Sequence, residues 1–297
     1  MPSWNDIQKQ IMTVESPHDQ VRREYLRKMA DKTGRNVIAY YSGWLQRPGS
    51  DMSSIQDDDK NGFMNAIYKM DKTKGLDLIL HTPGGDVAAT ESIGNYLRAV
   101  FGTNIHCYVP QLAMSGGTML ACCCEYIVMG KESSLGPIDP QFGGIAAQGV
   151  VEEFDEAREA LRSDPQSWPL WQTIISKYHP TFIGECRRAI QWSTDIATKW
   201  LETGMFRNIP QAKRKTTVDR IIKALNNHQD TRNHARHIHA DEVASIGLVV
   251  KSLEEDDELQ DIVLSIHHAY MSTFWSTPAI KIIESDNGHI IAIRGRQ

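Results

Sequence analysis

Ser115 lies in Ala113-Met114-Ser115-Gly116-Gly117, between an apolar run and the start of a helical pattern. About thirty residues upstream, Leu76–His81 runs into Thr82-Pro83-Gly84-Gly85-Asp86, and downstream Asp139 stands between Ile138 and Pro140. A serine hydroxyl is a poor nucleophile at neutral pH; it needs a base within reach and a place to put negative charge. Small residues on both sides of Ser115 permit a strained turn and close approach of a substrate backbone. The Gly116 amide falls at a helix start, where N–H groups point outward, and the Pro83-Gly84-Gly85 turn offers further amides. Two sources of donors facing one serine make an oxyanion hole. The same pattern also describes two ordinary βα turns of a doubly wound sheet. Asp139 is open to two readings as well: an aimed, partly buried carboxylate, or a turn residue capping its own loop, since Asp-Pro is a turn pair.

Three of the eleven histidines cluster as His234, His237 and His239. In an extended segment His237 and His239 share a face and His234 points away; with no fourth ligand in view, no metal site is expected. His267 and His268 fall inside a helical pattern, as packing or surface residues. His81, just before Thr82-Pro83-Gly84-Gly85, is expected to help hold that loop. The five cysteines are Cys107, Cys122, Cys123, Cys124 and Cys186. Three in a row fit neither a disulfide framework nor metal spacing, because neighbours on a helix point about 100° apart. They read as small apolar residues of a buried helix, in a reducing, cytoplasmic setting. No strand leads into a GxGxxG turn, so nicotinamide is not expected and no cofactor is called for.

The elements that must position these residues follow from the apolar pattern. Leu76–His81 is a near-continuous apolar run, as in a strand covered on both faces. Helices are expected over 17–34, 61–70 and 87–101, and strands over 36–45, 104–110 and 125–130. This alternation predicts an α/β fold with a mainly parallel sheet. Residues 46–60 read as a polar loop and 150–227 as mainly helical, with Trp168, Trp171, Trp192 and Trp200 available for an interface or for the chain's own core. A short helix from Ala240, a strand, a helix over 258–275 and a terminal hairpin around 285–288 complete the pattern. The division expected is an N-terminal helical segment 1–35, a main domain 36–275 and a hairpin or tail 276–297. The formal net charge of −5 argues against a general nucleic-acid surface. No apolar window is long enough for a membrane span, and the first residues lack a signal-peptide pattern.

Read together, KTGRNVIAYYSGWL, LDLILHTPGGD, VPQLAMSGGTMLA, IVMGKESSLGPIDPQ, HARHI and VASIGLVVKSLE resemble the serine dehydrogenase proteinase family, a distant relative of the Clp protease and of signal peptide peptidase A. The resemblance spans roughly 20–270 and implies a Clp/crotonase-like spiral of βαβ units with a helical C-terminal half. It implies a serine peptidase that assembles into a homo-oligomer and cleaves peptides or unfolded proteins. Carried over by position, Ser115 is the nucleophile, Asp139 the acid and His234 the base, with oxyanion donors at Gly116 and at Gly84 or Gly85. One departure is Gly116, where most relatives are expected to carry alanine. Compared with the Clp protease, acid and base exchange places along the chain. The alternatives are a Ser-Lys dyad of the signal peptide peptidase type, using Lys131 or Lys177, and His237 as base. Two further readings are a crotonase-type acyl-CoA enzyme and an inactive assembly or binding protein.

Overall fold

The computed structural model describes residues 17–226 and 234–295. The first element among the described residues is α1 (Pro17–Thr33), which stops at Gly34 in a left-handed conformation (φ 69°), a common helix terminator. Strand β1 (Asn36–Ser42), helix α2 (Asp59–Ile67), β2 (Leu76–His81), α3 (Val87–Phe101) and β3 (Ile105–Val109) follow. Helix α3 is bounded by Asp86, whose side chain accepts from the Ala89 amide, and by Gly102 (φ 63°). Next come β4 (Leu112–Ala113), α4 (Gly116–Cys122), β5 (Tyr126–Met129) and β6 (Ser134–Leu135). A small hairpin, β7 (Gln141–Phe142) and β8 (Ile145–Ala146), opens a helical stretch of α5 (Ala147–Ser163), α6 (Trp168–Ile175), α7 (Phe182–Thr203) and α8 (Gln211–Asn226). The chain resumes with β9 (Ile238–His239), α9 (Ala240–Ile246), β10 (Val250–Ser252), α10 (Asp257–Ser276), β11 (Ala279–Ser285) and β12 (Ile290–Arg294).

The main sheet has seven strands in the order β10-β5-β3-β2-β1-β11-β12. The first five run parallel; β11 pairs antiparallel with β1, and β12 antiparallel with β11. The fold is therefore mixed α/β around a largely parallel sheet. Successive residues of its central strands alternate between two cores, as the period of two requires. Ile38, Tyr40, Leu78 and Leu80 pack on one side with α3, α4, α7 and α8. Val37, Ala39, Tyr41 and Ile79 pack on the other with α1 and α10. All six positions of β2 are buried, as its unbroken apolar run predicts. Cys122, Cys123 and Cys124 lie in the first core with no free surface, and burial pushes the Cys122 thiol up to about 12.

The helical region falls where the sequence places it, but α5 begins at Ala147 and α8 at Gln211, earlier than the apolar pattern indicates. The polar start of α8 carries no periodic apolar residue to mark it. The tryptophans divide: Trp200 is core, while Trp168 and Trp192 are exposed. Helix α6 has no buried residue although it is largely apolar. The terminal hairpin forms, and β11 pairs antiparallel with β1, so it belongs to the main sheet.

Candidate active site

A second, three-stranded sheet in the order β4-β6-β9 gathers the site. β4 leads directly into Ser115. β6 pairs parallel to β4, with Ala113 opposite Leu135, and leads to Asp139. β9 pairs antiparallel to β6, with Leu135 opposite Ile238, and His234 precedes it. In an antiparallel pair, moving forward on one strand means moving back on the other. Four residues on from Leu135 is Asp139, and four back from Ile238 is His234. The ladder itself stops, but its register aims the two side chains at each other.

Ser115 has φ 49° and ψ −113°. It occupies the second position of a turn closed by the Gly117 amide donating to the Met114 carbonyl at 2.7 Å. Positive φ at that position normally calls for glycine, and a serine held there stores on the order of 1–3 kcal/mol. The turn is braced from behind by Thr118. Its buried Oγ1 donates to the Ala113 carbonyl (2.8 Å) and accepts from the Gly136 amide (3.0 Å), tying the serine turn to the loop that leads to Asp139.

The Gly84-Gly85 loop is fastened beside Ser115. The Thr82 amide donates to the Leu112 carbonyl (3.1 Å) and the Met114 amide to the Thr82 carbonyl (2.9 Å). A Cβ on Gly84 would come within 2.7 Å of both the Met114 carbonyl and the Ser115 Cβ, and Gly84 has φ 91°. The Gly84 amide already donates to Thr82 Oγ1 at 3.2 Å. On its outer side the loop pairs with Ile55, whose amide donates to the Gly84 carbonyl (2.7 Å) and whose carbonyl accepts from Asp86 (3.0 Å). In a parallel bridge of this kind the N–H and C=O of Gly85 point away from Ile55. The Gly85 nitrogen lies 3.4 Å from where a Cβ on Gly116 would sit. The Gly85 and Gly116 amides thus lie close together beside the serine, and a Cβ on Gly116 would lie 2.7 Å from Thr90 Oγ1.

Asp139 is 1% exposed. His234 Nδ1 donates to its Oδ1 at 2.8 Å, and Gln141 Nε2 donates to its Oδ2 at 2.7 Å. The ring is 29% exposed and lines the same cleft, of about 610 Å³, as Ser115, Gly84, Gly85 and Gly116. Ile138 is anchored in turn by its amide donating to the Leu225 carbonyl in the last turn of α8 (3.0 Å), which satisfies an otherwise unpaired helix end. The remaining walls are mostly apolar and include Val87, Met119, Phe142 and Trp192. Trp192 is tethered through Nε1 to Glu91 (2.9 Å).

Lys131, Lys177 and His237 are exposed and line no part of this cleft. His81 departs from its expected role. It is fully buried against Trp44 (4.4 Å between ring centres) and Tyr41, meets His267 edge-on, and neither ring nitrogen has a hydrogen-bond partner among the described residues. It holds the end of β2 by packing, not by bonding to the loop, and burial drives its pKa well below the ordinary histidine value. Gln141 and Ile55 escaped the sequence reading. The motif GPIDPQ does contain Gln141, but nothing in it marks the amide as the partner of Asp139. Among the described residues no three His, Cys, Asp or Glu side chains gather to hold a metal ion, and no helix is long and apolar enough to cross a membrane.

Two uncharacterized proteins of Methanocaldococcus jannaschii are similar to this chain. One is 33% identical over 151 residues, 49% of this chain and 51% of the relative. The other is 34% identical over 107 residues, 36% of each. The chain thus spans about half the length of the first relative and about a third of the second. Residues 9–168, more than half of the chain, match the family described as ClpP-like SDH-type serine proteinase. That match takes in Ser115, Asp139 and all three glycines and leaves His234 outside it. The chain belongs to the ClpP-like SDH-type serine proteinase family.

Proposed function

We propose that the protein is a serine peptidase that cleaves peptide bonds through an acyl-enzyme, with Ser115 as nucleophile, His234 as general base and Asp139 as the group that orients it. The observation that carries this reading is the 2.8 Å contact between His234 and a buried Asp139 in the cleft that Ser115, Gly85 and Gly116 also line. With Nδ1–H committed to the carboxylate, Nε2 is the nitrogen left to take a proton. Ser115 Oγ attacks the scissile carbonyl carbon as His234 Nε2 accepts the hydroxyl proton. The carbonyl oxygen becomes an oxyanion, received by the amides of Gly85 and Gly116, while Gly84 contributes its missing side chain. Collapse breaks the C–N bond, and the imidazolium returns its proton to the departing amine. A water then repeats the sequence on the ester, releasing the acid and restoring Ser115.

Peptides or unfolded proteins are the substrates this reading assigns, handled by a homo-oligomer of Clp/crotonase-like spiral subunits in the cytoplasm. Among the described residues no lysine lines the cleft to serve the dyad alternative, and the acyl-CoA alternative leaves the strained Ser115 without purpose. The test is hydrolysis of a fluorogenic peptide library by the purified protein. Ser115→Ala is expected to abolish cleavage while leaving the thermal transition in place; cleavage at the wild-type rate would end the proposal.

A further inference from the structure

The Gly84-Gly85 loop is fastened from outside by the segment 53–56, and that segment is held from below by a buried ion pair that does not itself line the cleft. Lys281, on β11, is fully buried and donates from Nζ to the Ser54 carbonyl (2.6 Å) and to both oxygens of Asp59 (2.8 and 2.9 Å). Asp59, at the start of α2, is 1% exposed and also accepts from the Gln56 amide (2.9 Å) and the Tyr40 hydroxyl (2.8 Å). Ser42, beside Lys281 in the β1–β11 ladder, donates its hydroxyl to the Ser53 carbonyl. The main-chain groups on either side of Ile55 are therefore gripped by β1, β11 and α2, while Ile55 itself bonds both ways to the Gly84–Asp86 loop.

A buried ion pair recovers its desolvation cost poorly, and apolar replacements are often as stable. Its presence here is accounted for by what it holds. We infer that Lys281 and Asp59 are positioning residues for the oxyanion loop, fixing Gly85 against Gly116 through Ser54, Ile55 and Gln56. This rests on the peptidase reading for its catalytic consequence, though not for the positioning itself. The terminal hairpin is on this account part of the machinery, since without β11 the loop loses its anchor.

The test replaces the whole network at once, Tyr40→Phe, Asp59→Leu and Lys281→Met, so that no charge is left stranded. Hydrogen exchange of the Ile55 and Asp86 amides reads positioning without reference to activity. Their exchange is expected to quicken at least about tenfold while Leu78 and Ile79 in β2 keep their protection. Per titrated active site, kcat on a fluorogenic peptide is expected to fall at least about tenfold with KM within about twofold, because a displaced oxyanion donor is missed only in the transition state. Unchanged exchange at Ile55 and Asp86, or quickened exchange with wild-type kcat, overturns the inference. If the wild-type protein cleaves no peptide, the peptidase reading falls and the exchange result still decides the positioning claim. Should the triple variant fail to fold, Lys281→Met with Asp59→Asn removes both charges while keeping an acceptor for the Gln56 amide, and unchanged Ile55 exchange there overturns the inference equally.

Discussion

Asp139 and His234, 95 residues apart in the chain, meet through a 2.8 Å bond from His234 Nδ1 to Asp139 Oδ1, at the point where the antiparallel register of β6 and β9 would carry them if the ladder continued. The order of the two residues along the chain does not matter to this contact. A strand pair of two residues each, beside a third that ends two residues short of Ser115, brings His234, bonded to the buried Asp139, to the cleft that Ser115 lines.

If Asp139 fixes the proton on Nδ1, an amide in its place reverses the preference by donating to Nδ1 and leaving the proton on Nε2. Asp139→Asn is expected to lower kcat by roughly 10³–10⁴ with little change in KM. Gln141→Ala, which removes only the second partner of the carboxylate, is expected to cost roughly tenfold or less. Steady-state kinetics on one peptide substrate checks both, and an Asp139→Asn enzyme within tenfold of wild type contradicts the assignment.

Gly84 and Gly116 differ in what an added methyl would meet. At Gly84 it strikes the Met114 carbonyl and Ser115 itself, on a backbone with φ 91°, so Gly84→Ala is expected to abolish activity. At Gly116 its tightest contacts are side-chain atoms, Thr90 Oγ1 at 2.7 Å and Ile55 Cδ1 at 3.2 Å. Gly116→Ala is expected to lose roughly tenfold in kcat, with most of it returned by Thr90→Ala in the same chain, a coupling a double-mutant cycle measures directly.

The histidine cluster on the far side of the sheet predicts a pH dependence of stability. Burial lowers His267 from 6.5 to about 3 and puts His81 well below its ordinary value. A group whose folded pKa is depressed leaves the unfolded chain binding more protons in the interval between the two values. Stability contributed by the neutral ring is thus present above pH 6.5 and is lost as pH falls toward 3. For His267 alone the loss between pH 7 and pH 5 is about 2 kcal/mol. Denaturant titrations at the two pH values should show it, and His267→Phe should reduce the difference by about that amount; an equal pH dependence in both proteins contradicts the buried neutral histidine.

The parts of this fold legible in the sequence are those with a local cause. Leu76–His81 is a near-continuous apolar run because both faces of β2 are covered, and α3 is bracketed by a capping Asp86 and a terminating Gly102. Ser115 stood out because the turn that strains it needs small neighbours. What stayed hidden depends on partners far away in sequence. Lys281 looks like an ordinary charge in a terminal strand until Asp59, 222 residues earlier, is beside it, and Asp59 looked like part of a polar loop. His81 was read from its neighbours in the chain, when Trp44 and His267 decide its surroundings. His234 came from family likeness alone, since the three nearby histidines share the same local sequence character.

The central claim is that Ser115 is an activated nucleophile. The most direct measurement is mass-spectrometric mapping of the protein after reaction with a fluorophosphonate. The account predicts one adduct, on the peptide containing Ser115, formed far more slowly in His234→Ala and absent in Ser115→Ala. An enzyme that cleaves peptides while Ser115 stays unmodified, or an adduct formed at the same rate without His234, would contradict it.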